Sequence, residues 1–147
     1  MGSRSRGNQI AVASAGVRVP LGAKLLRQIV EAVLEKERKS GAMVNLTFLS
    51  AGRMRSLHRR AFGRSSLTDV IAFSLAHGGT VVGDIYICPQ VARKNAKELG
   101  VRFREEIVRL VVHGTLHVLG YDHPEGEARQ RSPMWLRQER YVRSLAS

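Results

Sequence analysis

Three histidines crowd the stretch HGTLHVLGYDH, residues 113–123, at spacings of four and six. On a helix, His113 and His117 leave the same face one turn apart, so both rings can reach a single ion. A straight helix would carry a third ring out of reach. Gly120 supplies the break: glycine takes a left-handed conformation just past a helix end without steric cost, which lets the chain bring His123 back. Three neutral imidazoles suit zinc at roughly 2.0–2.1 Å and leave a fourth position for water or substrate, the arrangement of a catalytic ion. One zinc per chain is the expectation, with nickel or another imidazole-binding ion as the alternative. The spacing matches the H-E-x-x-H-x-x-G-x-x-H string of zinc proteases. Gly114, however, stands where those enzymes carry their general-base glutamate.

The chain that must position these rings has 147 residues, 44% of them hydrophobic, enough for one domain with a sizeable core and too many for disorder. Against 24 Lys and Arg there are 12 Asp and Glu, a formal net charge of +12. That excess points to a polyanionic partner; a basic protein that is merely soluble is the plainer alternative. Cys88 is the single cysteine, which excludes an intramolecular disulfide and fits a reducing compartment. It closes the apolar run IYIC and reads as a core residue. No run approaches the length of a membrane span, and the apolar part of MGSRSRGNQIAVASAG is too short and too rich in Ala and Ser for a signal peptide. The expected location is cytoplasmic, without a membrane partner.

Periodicity predicts alternating strands and helices. Residues 1–8 read as a disordered tail, followed by one domain over 9–147. A strand begins at Ile10 and Val12, and Pro20 opens a helix with the stripe Leu26, Ile29, Val30 and Val33, stopped by Gly41. VNLTFL alternates as a strand, GRMRSLHRRAF is a short Arg-rich helix, and TDVIAFSL places Ile71, Phe73 and Leu75 on one face. The glycines of His77-Gly78-Gly79 join it to TVVGDIYIC as an antiparallel hairpin. Pro89 opens a helix ended by Gly100, residues 103–119 form a long, mostly buried one, and Ser132-Pro133 caps a last helix reaching about Leu145. The order implies an α+β fold: a small mixed β-sheet packed with several α-helices, with the zinc-binding histidines on the long helix and the turn after it.

HGTLHVLGYDH resembles the signature of the YbeY family of bacterial zinc-dependent endoribonucleases. TDVIAF, from Thr68, is similar to that family's TDVLSF, and GDIYI, from Gly83, to its GDI strand; the likeness covers roughly residues 45–140. It implies that His113, His117 and His123 are both the metal ligands and the catalytic centre, held in a small mixed sheet with helices. It also implies cleavage of single-stranded ribosomal RNA in rRNA maturation and ribosome quality control. The partner would be the small ribosomal subunit or its assembly intermediates. A zinc-containing RNA-binding assembly factor with little or no catalysis is the alternative, and a hydrolase of peptides or small phosphoesters a further one.

The family generally places a functional arginine six residues before the Thr of its TDV motif, where this chain has Phe62. Arg59, Arg60 and Arg64, on or beside the Arg-rich helix, are the candidates to bind substrate in its place, since guanidinium forks suit phosphate oxygens. A solvated helix face is the competing reading. Asp84 either supports the site or makes a plain structural hydrogen bond, and Thr68-Asp69 shapes a strand entrance. Asp122 orders the turn at the last ligand, Glu125 and Glu127 flank it, and Trp135 and Tyr141 read as core. His58 and His77 lack companions and receive no role. As for Gly114, a metal ion lowers the pKa of water far enough to dispense with a neighbouring carboxylate. The sequence therefore predicts that glycine keeps charge and volume open for a phosphate, and that Gly114→Glu would hold zinc but lose RNA cleavage.

Overall fold

The computed structural model describes residues 7–64, 66–75 and 78–146. Its elements run β1 (Gln9–Ser14), α1 (Ala23–Lys36), β2 (Met43–Phe48), α2 (Ala51–Phe62), β3 (Val70–Ser74), β4 (Val82–Ile87), α3 (Pro89–Leu99), α4 (Phe103–Val118), a 3₁₀ segment (Gly126–Arg131) and α5 (Pro133–Leu145). The four strands form one mixed sheet in the order β1-β2-β4-β3. β2 pairs in parallel with both β1 and β4, and β3 returns antiparallel along β4. The fold is the expected α+β class.

Alternation divides the sheet into two faces. Val44, Leu46 and Phe48 of β2 and Ile85 and Ile87 of β4 are buried together with α1 and α4 in the main core. Burial of each such side chain stabilises the fold by about 1.5–3 kcal/mol. On the opposite face Ile71, Phe73 and Tyr86 pack with Met54 of α2 and with Cys88, which is fully buried as the sequence implied. The alternation expected for β3 holds for Ile71 and Phe73, but Leu75 lies past the strand end and is exposed. Asp84 pairs with its register neighbour Asn45, whose Nδ2 donates to Oδ1 at 3.0 Å, so it ties β4 to β2.

α1 starts three residues later than Pro20 indicates, with Gly22 as its N-cap. Leu21, just before that cap, is buried in the same core as Leu26, and a hydrophobic residue in this position fixes the entry angle of the chain. The helix also stops before Gly41. Arg38 takes a left-handed φ of 60°, and the Lys39 N–H reaches the Leu34 carbonyl at 2.8 Å, closing the end without glycine. Of the expected tail, residues 1–6 lie outside the described residues. Asn8 is tied down: its Oδ1 accepts from the Ala42 N–H at 2.8 Å and its Nδ2 donates to Glu31 at 3.1 Å.

Helix α4 is the central strut, in contact with α1, α3, α5, β3 and β4. Two glycines set its distance from β4. A Cβ on Gly114 would stand 2.5 Å from Ile85 Cγ2, and one on Gly83 would stand 2.3 Å from Val118 Cγ1. Each glycine thus receives the partner element's side chain.

Candidate metal centre

The end of α4 is built as the histidine spacing requires. The Gly120 N–H bonds to the His117 carbonyl at 2.9 Å and the Tyr121 N–H to the Leu116 carbonyl at 3.0 Å, with Gly120 at φ 99°. These two bonds satisfy carbonyls that a helix end leaves free, and they reverse the chain. Beyond them Tyr121 donates its hydroxyl to Glu37 at 2.6 Å. Glu37 also accepts from Tyr141 at 2.5 Å and Arg137 at 3.0 Å, tying the turn to α1 and α5. Asp122 orders the next step as expected, its Oδ1 accepting from the His123 N–H at 2.8 Å.

His113, His117 and His123 come together. Each offers a ring nitrogen within 4.8 Å of the others, and the ring centroids lie 4.5–5.1 Å apart. The ring tautomers can be read from the surroundings. Gln138 Nε2 donates to Glu139 at 2.9 Å, which turns the amide oxygen towards His113 Nδ1 at 2.6 Å. Nδ1 of His113 therefore carries the proton and Nε2 is left with its lone pair. His123 is set in the same way, Nδ1 facing the Pro124 carbonyl at 3.0 Å. Glu139 is in turn gripped by Arg109 through two hydrogen bonds of 2.9 Å, so a chain of contacts runs from α4 through α5 to His113.

Burial favours the neutral form of His113 and His117. It drives His113 down to about 3, with Gln138 opposing and His117 adding to the shift. His117 is lowered by burial and by His123. Neutral imidazoles with free lone pairs converging on one point are what a zinc ion takes up, so the donor set fits the ion.

The triad opens into a cleft of about 470 Å³ lined also by His58, Phe62, Thr68, Asp69, Asp122, Glu125 and Arg129. Arg59, Arg60 and Arg64 are exposed and are not among the lining residues. The guanidinium that does line the cleft belongs to Arg129, on the 3₁₀ segment after His123. Its carbon lies 5.8 Å from the Trp135 ring centre, and its buried Nε has no partner among the described residues. Across the cleft, burial raises the Asp69 carboxyl and Arg129 opposes that rise. Asp69 also shapes the strand entrance, its carbonyl accepting from the Cys88 N–H at 2.9 Å. His58, given no role from sequence, stands on the rim with Nδ1 2.7 Å from the Ser66 carbonyl. His77 lies outside the described residues. Tyr141 is core, and Trp135 is half-buried beneath Arg129.

Gly114 does not face the cleft as an open space. Its missing side chain is replaced by Ile85, so the glutamate of the protease string is excluded by the approach of α4 to the sheet. This overturns the expectation that glycine leaves volume for a phosphate.

The chain is similar to known proteins over most of its length. The family model described as "Endoribonuclease YbeY" matches residues 14–146. A protein of that name from Thermotoga sp. (strain RQ2) is 35% identical over 126 residues, 84% of this chain and 83% of the relative. Another from Chlorobaculum tepidum is 31% identical over 121 residues, 82% and 87% of the two chains. The solution structure of TM1509 from Thermotoga maritima superposes with a TM-score of 0.67 at 30% identity, covering 93% of this chain and 89% of that one.

Proposed function

The chain belongs to the YbeY endoribonuclease family, and on that premise we propose that it is a single-strand-specific, zinc-dependent endoribonuclease. Its work would be ribosomal RNA maturation and ribosome quality control in the cytoplasm, on the small subunit or its assembly intermediates, by one domain spanning residues 9–147. The observation that carries this reading is the convergence of three imidazoles, two with their outer nitrogens already satisfied, at the wall of an open cleft. His113, His117 and His123 would hold one zinc ion. When bound, the ion supplies a Lewis acid for a phosphoryl oxygen and a lowered pKa for water.

The protein's own groups account for the remaining steps. Arg129 is the cation of the cleft: a phosphodiester entering there meets a guanidinium whose Nε has no hydrogen-bond partner among the described residues, with Asp69 on the opposite wall. It balances the charge that accumulates on the phosphoryl oxygens. Gln138 and Glu139 hold the His113 ring against rotation, which keeps the geometry fixed as charge develops. Arg59, Arg60 and Arg64, exposed at the end of α2, are proposed to attract the flanking backbone. Among the described residues no helix is long and apolar enough to cross a membrane.

The test is incubation of highly purified, zinc-loaded protein with single-stranded RNA beside His117→Ala prepared identically. Cleavage by the parent alone supports the proposal. Equal cleavage by both would reveal a contaminant and remove the enzyme reading, whereas tight RNA binding without cleavage would favour the assembly factor.

A further inference from the structure

Phe62 occupies the position at which the family resemblance called for an arginine, and its surroundings give it a use of its own. It is the last residue of α2 and, at 54% exposure, the one aromatic among the large exposed hydrophobic side chains of the described residues. Its ring is fixed in place. It lies parallel to Phe73, centroids 6.1 Å apart and planes 7° apart, and His58 meets its edge at 5.5 Å. Phe73 is braced edge-on by Tyr86 at 6.0 Å. This stack runs from β4 across β3 to the rim of the cleft that contains the three histidines, and both Phe62 and His58 line that cleft. The arginines Arg59 and Arg60 precede Phe62 on its helix and Arg64 follows Gly63, all exposed.

We propose that Phe62 is a base-stacking platform, taking the nucleobase next to the phosphate that enters the histidine cleft. The inference rests on the reading of that cleft as an RNA site. An exposed ring packed on a second ring offers an apolar π-surface of the size of a base, already ordered, so stacking costs little conformational entropy. Every base has such a face, so the contact does not discriminate sequence. It does require an unpaired nucleotide, because a base within a duplex has both faces covered by its neighbours. Phe62 thus selects single strands, and stacking from the rim takes over anchoring that an arginine would otherwise provide through phosphate.

The experiment compares the zinc-loaded parent with Phe62→Leu, which keeps an apolar residue but removes the π-face, and Phe62→Trp, which enlarges it. Two readouts are taken: steady-state cleavage of a short single-stranded RNA, and fluorescence of a 2′-O-methyl oligonucleotide carrying 2-aminopurine, which stacking quenches. The expected result for Phe62→Leu is a KM raised at least about five-fold, a smaller change in kcat, and loss of quenching. Phe62→Trp should restore both. A Leu variant indistinguishable from the parent, or a Trp variant as impaired as Leu, would overturn the platform while the parent's zinc-dependent cleavage still upheld the nuclease. A parent that neither cleaves nor quenches would overturn both readings.

Discussion

Two arginines, Arg109 on α4 and Arg129 on the 3₁₀ segment that follows it, illustrate how this protein separates frame from site. Arg109 is nearly enclosed and meets Glu105, Glu106 and Glu139 at 2.9–3.1 Å, and these carboxylates hold its guanidinium well above the usual arginine range. Arg129 lies against Trp135 at the wall of the histidine cleft with its Nε unpaired among the described residues. The first arginine is saturated with anions from its own chain. The second has Asp69 across the cleft but leaves its Nε without an acceptor among the described residues, and an unsatisfied donor in that position costs stability unless something else supplies the acceptor. A group held that way is poised for a ligand, whereas one held like Arg109 is not.

The comparison is broken most severely at Arg109. Arg109→Ala leaves Glu106 buried and unpaired and should destabilise the protein by about 3–5 kcal/mol, measured by denaturant unfolding. A loss below 1 kcal/mol would mean that the network is peripheral. Arg129→Ala should do the reverse. Its folding stability should stay within about 1 kcal/mol of the parent, while the rate of RNA cleavage falls on the order of 10²-fold, the cost of removing one preorganised donor. Equal cleavage by the variant and the parent would return the cation's role to Arg59, Arg60 and Arg64.

Gly114 tests the frame from the other side. Gly114→Ala should cost about 1–3 kcal/mol because its Cβ meets Ile85 Cγ2 at 2.5 Å. In an Ile85→Ala background, itself destabilised by its own cavity, Gly114→Ala should cost less than in the parent, since the two positions share one contact. Additive losses in the double mutant would show that the clash is absorbed elsewhere.

What could be read from sequence was local. The cap at Ser132, Pro89 at the start of α3, the Gly120 reversal and the convergence of the histidines all depend on residues within a turn or two of one another. The features missed depend on tertiary packing or lack a local pattern. Gly114 acquires its meaning only when α4 crosses Ile85, and Gln138 reaches His113 from 25 residues away. Arg129 sits in a 3₁₀ segment without apolar periodicity, so nothing in the pattern marked it. The start of α1 was misplaced because Pro20 is a strong local signal, while Leu21 answers to the core.

A further effect concerns acid. In the metal-free protein His113 remains neutral down to about pH 3, whereas the unfolded chain takes up its proton near the ordinary value of 6.5. The unfolded state binds more protons below that value, so stability is full above pH 6.5 and declines as pH falls from 6.5 towards 3. The decline from this group is at most about 1.4 kcal/mol per pH unit. Denaturation midpoints of the chelator-treated chain between pH 8 and pH 5 should show this slope, and His113→Gln should flatten it. A parent curve without slope below pH 6.5 would contradict the buried neutral ring.

The claim on which the rest depends is that the three histidines hold an ion and that the Arg109 chain of contacts only positions them. Elemental analysis of the parent, His117→Ala and Gln138→Ala after dialysis against dilute zinc tests it most directly. The expected result is about one zinc per chain in the parent, little in His117→Ala with two ligands left, and affinity weakened about 10–100-fold in Gln138→Ala, which loses only the partner of His113. Full zinc retention by His117→Ala would contradict the account.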